Sequence, residues 1–221
     1  MRCLLGSLAA HPENPAPLNP TVYESDMPVF TTDVRMAKVS HLFASGPHPD
    51  DGDDASSSAT GGGGPVEMVF LAPARSTQWR LAGSAYVLGP NADDDTVSAR
   101  RVREFLAERM RVVAGGSEEA VKTWSWAREV TALFGNQSRL ERGWFRNPPP
   151  GMPVDDPLPE KRLALGQCVD DLNDEVARSN FRIVVVVPSE VDQVNMTDPA
   201  RPRRWQHRFV GGQWETREIW P

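Results

Sequence analysis

The chain has 221 residues, with 24 Lys and Arg against 30 Asp and Glu, a formal net charge of −6. That length supports one sizeable domain whose core needs no staple. The acidic balance argues against nucleic acid as a main partner, since phosphate backbones demand basic surface. No apolar run approaches the roughly 18–20 residues of a membrane span, so no membrane partner is expected.

Met1 to Ala10 carry one basic residue and a short apolar run broken by Gly6 and Ser7. This is too interrupted for a secretory signal and reads as the stump of a buried strand. Residues 9–26, rich in Pro and Asn, read as an irregular connection, 27–32 as a short strand and 34–44 as a helix. From Gly46 to Gly64 no apolar side chain is larger than alanine. Such a segment buries too little to offset its ordering entropy, and 46–64 reads as a disordered acidic and Gly-rich insertion. Its four glycines lack the Lys-Ser or Lys-Thr of a nucleotide loop. Its aspartates lack the closing glutamate of a calcium loop.

Residues 66–71 and 76–88 read as strands. In the second, Trp79, Leu81, Ala85 and Val87 alternate with Gln78, Arg80, Ser84 and Tyr86, giving one core face and one polar face. Asn91 to Thr96 is turn and N-cap material, before a helix with Val102, Phe105, Leu106, Met110 and Val113 on one side. Ser117 caps a further helix expected to run to about Phe134 and to stop at Gly135. Pro148 to Pro159 is a proline-rich extended stretch. Arg182 to Val187 reads as a strand buried on both faces, and Val191 to Met196 as another. Gly211-Gly212 joins a C-terminal hairpin. Strands interleaved with a few helices, without βαβ alternation, predict an antiparallel barrel with added helices.

Little in the chain looks catalytic on its own. The four histidines show no metal spacing, there is no Gly-x-Ser-x-Gly elbow, and Cys3 and Cys168 form neither a disulfide framework nor a metal motif. Two cysteines used this way suit a reducing cytoplasm. Any chemistry is expected to come from a cofactor. The stretch Phe30-Thr31-Thr32-Asp33-Val34-Arg35-Met36-Ala37-Lys38 offers a place for one. A strand end, two hydroxyls and two cations opening a helix suit a phosphate, although the same spacing also describes a capped turn with solvated cations.

This corner resembles the one that grips the FMN phosphate in the pyridoxamine 5'-phosphate oxidase-like family of FMN-binding split barrels. Pro65 to Phe70 and Thr77 to Ala85 resemble the next two family strands. Phe134-Gly135-Asn136-Gln137-Ser138, Arg142, Phe145 and Pro148 to Gly151 resemble the branch defined by FMN binding alone, distinct from the vitamin-making oxidases. The resemblance covers roughly residues 5–221. It implies an α+β fold, an antiparallel split β-barrel with added helices, forming a single domain over 1–221, with FMN as cofactor at the interface of a homodimer. It also implies an FMN site in which Thr31, Thr32, Arg35 and Lys38 hold the phosphate, Gln78 touches the ring system, and Gln137 and Ser138 approach from the partner subunit. A family cation near the C-terminus falls at Arg204 or Trp205.

The chain departs from the family in two places. Trp124 and Arg128 stand where the vitamin oxidases carry an arginine and a serine that clamp a phosphorylated substrate. Cys3 to Gly6 aligns with the family's second strand, with Leu5 in place of a phosphate-binding cation, so the chain is expected to be N-terminally shortened relative to the family. The resemblance thus implies a cytoplasmic flavoprotein oxidoreductase acting on an unidentified small molecule. The departures leave open a non-catalytic, degenerate split-barrel module without competent FMN binding.

Overall fold

The computed structural model describes residues 18–46 and 60–221, together with the backbone of residues 3–5. The Leu5 side chain expected to replace a cation, the irregular connection over residues 9–17 and most of the acidic insertion lie outside the described residues.

Nine strands and six α-helices are described. β1 (Cys3–Leu5), β2 (Tyr23–Ser25) and β6 (Arg111–Val112) form a small antiparallel sheet. The main sheet runs β4 (Gly61–Ala72), β5 (Thr77–Leu88), β7 (Phe181–Asn195), β8 (Arg203–Val210), β9 (Gln213–Ile219), all antiparallel neighbours. β3 (Val29–Asp33) pairs with residues 181–185 of β7, on the edge that β8 takes further along at residues 190–195. The helices are α1 (Ala37–Ala44), α2 (Val97–Ala107), α3 (Glu118–Thr123), α4 (Trp126–Gly135), α5 (Arg139–Trp144) and α6 (Glu175–Asn180).

The centre of the main sheet is buried on both faces, as the β-branched run of β7 predicts. On one face Tyr86, Leu88, Ile183 and Val185 pack with Leu106 of α2 and Trp126, Val130 and Phe134 of α4. On the other, Ala85, Val87, Val184 and Val186 pack under Val39 of α1. Thr96 and Ser117 cap their helices as read, each accepting a backbone N–H three residues on.

Three readings are corrected. The four glycines are not loop: β4 begins at Gly61, and Gly61, Gly62 and Gly64 pair with β5 through a bulge. They are glycines because α1 lies on them. A Cβ at Gly64 would sit 2.3 Å from Ser45 Oγ and 2.8 Å from the Leu42 carbonyl oxygen, and one at Gly61 would sit 2.6 Å from the Phe43 ring. The helix expected from Ser117 to Phe134 is two, α3 and α4, broken at Trp124 and restarted by the Ser125 cap. Trp124 is held there by edge-on contacts with Tyr23 and Trp126, both at 5.0 Å between centroids. The two strands expected at 182–187 and 191–196 are one, β7. Pro188 is accommodated opposite Gly83 beside a bulge, where a Cβ on Gly83 would approach the Val187 carbonyl oxygen to 2.2 Å.

Candidate functional site

β3 ends at Asp33, the chain turns through Val34 to Met36, and α1 begins at Ala37. The N-cap residue, Met36, gives the helix no side-chain cap, and its first turn holds no acidic residue. The N-terminal dipole and N–H groups of this helix are thus met by no anion of the chain's own first turn. Lys38 stands in that turn, exposed, with its Nζ 5.5 Å from the centroid of the Phe30 ring.

Arg35 is held differently from Lys38. Its Nε donates to Asp33 Oδ1 at 2.9 Å and its second terminal nitrogen to Asp33 Oδ2 at 2.6 Å, while the remaining one donates to the Asn147 carbonyl at 3.0 Å. The backbone N–H of Arg35 also donates to Asp33 Oδ1, at 2.8 Å. The guanidinium is therefore a clamp between the β3–α1 corner and the start of the proline-rich segment. A second cation lies behind the corner. Arg182, directly opposite Thr32 in the β3–β7 register, is buried and donates to the carbonyls of Ser179 and Phe181 at 3.0 and 2.7 Å. Burial lowers its pKa to about 10, with the Asp33 carboxylate offsetting part of the fall, so it stays charged at neutral pH. The Asp33 carboxylate thus binds Arg35 and acts on Arg182, while Lys38 lines the same groove beside it.

The corner opens onto a groove of about 680 Å³. Thr31, Thr32, Lys38 and Gln137 line it, facing an apolar wall that includes Met36, Trp144, Phe145 and Met152. The wall is fixed by the Arg35 clamp and by Asn180, whose amide donates to the Phe145 carbonyl at 2.8 Å. Gln137 sits at the α4–α5 junction because Arg142 gathers that junction. Arg142 is 1% exposed and donates to the carbonyls of Val169, Gly135 and Gln137.

The structure brings together four of the seven sequence-predicted residues, Thr31, Thr32, Lys38 and Gln137. Arg35 adjoins them but is spent on Asp33 and Asn147. Ser138 closes a capping box on α5, accepting from the Glu141 N–H at 3.3 Å while its own N–H donates to the Glu141 carboxylate at 2.7 Å. That donation holds Glu141 below its ordinary pKa. Gln78 lines a separate hollow of about 530 Å³ with Leu71, Val194 and Met196. Arg204 is turned to Asp192, at 2.6 and 3.0 Å. Trp124 and Arg128 are structural: Arg128 donates to the carbonyls of Leu18 and Thr123. Sequence reasoning missed Arg182, whose one signal is a charged residue opening a β-branched run. Among the described residues no cluster of His, Cys, Asp or Glu could hold a metal ion, and no helix is long and apolar enough to cross a membrane.

Residues 7–89 match the family model described as "Pyridoxamine 5'-phosphate oxidase, FMN-binding domain". No curated protein matches the chain. Among solved structures, a pyridoxamine 5'-phosphate oxidase-related, FMN binding protein from Nostoc punctiforme PCC 73102 is similar, with a TM-score of 0.50 and 18% identity over 100% of this chain and 88% of that one. The fold is thus the split barrel of FMN-binding proteins. Residues 7–89 are similar to the FMN-binding domain of the pyridoxamine 5'-phosphate oxidase family, and the matched model and the structural neighbour are both FMN-binding.

Proposed function

We propose that the chain is a cytoplasmic FMN-dependent oxidoreductase whose cofactor phosphate lies at the N-terminus of α1. One observation carries the reading: an uncapped helix start, Lys38 and the Thr31 and Thr32 positions converge on one end of the groove that also holds Gln137. The donor set fits a phosphate. Backbone N–H groups, the Thr31 hydroxyl and the Lys38 ammonium can all donate, Thr32 turning its own hydroxyl to the Asp33 carbonyl, and the Asp33 carboxylate is already matched by Arg35. The apolar wall fits a planar ring system and excludes water from it.

Lys38 would supply the mobile charge on the phosphate, and Thr31 a hydroxyl. Gln137, half-buried and held by Arg142 through its carbonyl, would present an amide to the ring edge. When bound, FMN supplies hydride or electron transfer. With Trp124 and Arg128 committed to packing and backbone bonds, the groove has no clamp for a phosphorylated substrate at those positions, and the reading favours a small molecule without a phosphate.

A homodimer accounts for two further features. The predicted ligands are divided within one chain, with Gln78 in a hollow of its own, and a second copy can reunite them. Large apolar side chains also stand exposed beside the groove, Trp144 at 55% and Leu165 at 77%. The test is flavin retention in Lys38→Glu. Reversing this charge is expected to abolish retention of FMN through gel filtration while leaving the fold intact by circular dichroism. Unchanged retention would refute the phosphate assignment.

A further inference from the structure

The strand register builds a second, aromatic hollow that the FMN reading does not use. Side chains alternate across a strand, so Trp79 and Leu81 of β5 face away from Gln78 and Arg80. The register sets Phe70, Trp79 and Gln193 in one row across β4, β5 and β7, and Leu81, Val191 and His207 in the next across β5, β7 and β8. With Asp26, Pro188 and Trp214 these residues line a cavity of about 520 Å³, within the range of small-molecule sites.

The floor of this cavity is built and charge-neutral. Asp26, 4% exposed, receives Arg109 Nε at 3.1 Å, an Arg109 terminal nitrogen at 2.6 Å and the Trp214 indole N–H at 2.5 Å. Arg109 lies 3.5 Å from the centroid of the Phe209 ring. Among the described residues, the carboxylate and the guanidinium at this floor are spent on each other, leaving a charged ligand no free partner there. The open hydrogen-bonding capacity of the hollow is neutral. Among the described residues, neither the Gln193 amide nor the Trp79 indole N–H is engaged by a side-chain hydrogen bond. His207 uses Nδ1 on Thr216 at 2.9 Å, and burial holds its pKa below the ordinary value, so it is neutral at pH 7.

We propose that this hollow is a second binding site, for a neutral, planar heteroaromatic molecule with one hydrogen-bonding edge. Trp79, Trp214 and Phe70 supply aromatic faces for stacking and edge contacts. Gln193, which can donate and accept at once, meets a lactam-like edge. A phosphate or carboxylate is disfavoured, because among the described residues lining the cavity there is no unmatched cation.

The probe is 2-quinolinone, a fused bicycle with one lactam edge and no charge. It is titrated into the full chain with and without saturating FMN, and the indole N–H resonances of the tryptophans are followed by NMR. Saturable binding is expected, perturbing Trp79 and Trp214 and indifferent to FMN. Gln193→Ala is expected to weaken it about five- to tenfold, the loss of one neutral hydrogen bond. Val191→Trp, which fills the hollow, is expected to abolish it. Gln193→Ala changes a half-exposed side chain, so it keeps the test open should Val191→Trp fail to fold. No saturable binding, displacement by FMN, or an affinity unchanged by Gln193→Ala would each overturn the proposal. Failure of the FMN reading alone would appear instead as a colourless protein that still binds the quinolinone.

Discussion

Arg35 and Asp33, two residues apart, form a bidentate ion pair whose arginine also donates to the Asn147 carbonyl 112 residues further along the chain. The cation that spacing assigns to a phosphate is therefore a tether, and it ties the strand-to-helix corner to the opposite wall of its own groove. Both side chains are largely buried, 18% and 10% exposed, so solvent screens the pair only modestly.

Arg35→Ala is expected to cost about 2–3 kcal/mol, as Asp33 loses its charged donors. Arg35→Lys keeps the charge but cannot make the fork and the Asn147 bond together. Denaturant unfolding should therefore show both variants destabilised, with the wall at 148–158 more open to limited proteolysis in each. Resistance equal to wild type would show that the clamp does not hold the wall.

The Asp26–Arg109 pair joins the β2–β3 connection to the end of α2, and Trp214 brings in the C-terminal hairpin. Burial alone would raise the Asp26 pKa, but hydrogen bonds from Arg109 and Trp214 outweigh it and hold the carboxyl below its ordinary value. A depressed folded pKa stabilises the protein above the ordinary carboxylate range, and that contribution is lost as pH falls through the folded value. Asp26→Asn, which leaves Arg109 buried without its counter-charge, is expected to cost about 3–5 kcal/mol at pH 7. The gap to wild type should narrow below about pH 4. A gap constant down to pH 2 would contradict the assignment.

The turn of chain at 164–168 leans on α5 at a glycine. A Cβ on Gly143 would sit 1.8 Å from the Gln167 carbonyl oxygen and 2.7 Å from its carbon, neither of which is a flexible tip. Gly143→Ala is expected to cost about 3 kcal/mol through overpacking. Gly166→Ala, with open space around it and a φ of +74°, is expected to cost about 1 kcal/mol from backbone strain alone. Equal losses in thermal unfolding would refute the steric argument.

Ser138 distinguishes a cap from a ligand. Ser138→Ala should lower stability by about 1 kcal/mol through loss of the α5 cap. Ser138→Asp keeps the cap and adds a negative charge. If Ser138 serves only the helix, the aspartate variant retains FMN as wild type does; if the residue also faces the cofactor, as the family resemblance implies, retention falls.

Much of the frame can be read in the residues. The caps at Thr96 and Ser117, the β-branched run of β7 and the Gly211-Gly212 hairpin are local signals, and each is answered locally. Long-range packing hides the rest. Gly61 to Gly64 look like a linker because glycine disfavours strands, yet they are strand because α1 presses where no Cβ fits. The break at Trp124 depends on Tyr23, about a hundred residues away. At the candidate site, Thr31, Thr32, Lys38 and Gln137 are legible as a set because an ordered motif series carries them. The pairing of Arg35 depends on where Asn147 folds back. The aromatic hollow is invisible in the sequence because it exists only once four strands are in register.

The central claim is an FMN site at the β3–α1 corner, and the visible absorbance spectrum of the purified protein tests it most directly, before and after incubation with FMN and desalting. The account predicts flavin absorbance retained after desalting, and lost in Lys38→Glu. A protein that stays colourless after FMN is added would contradict it.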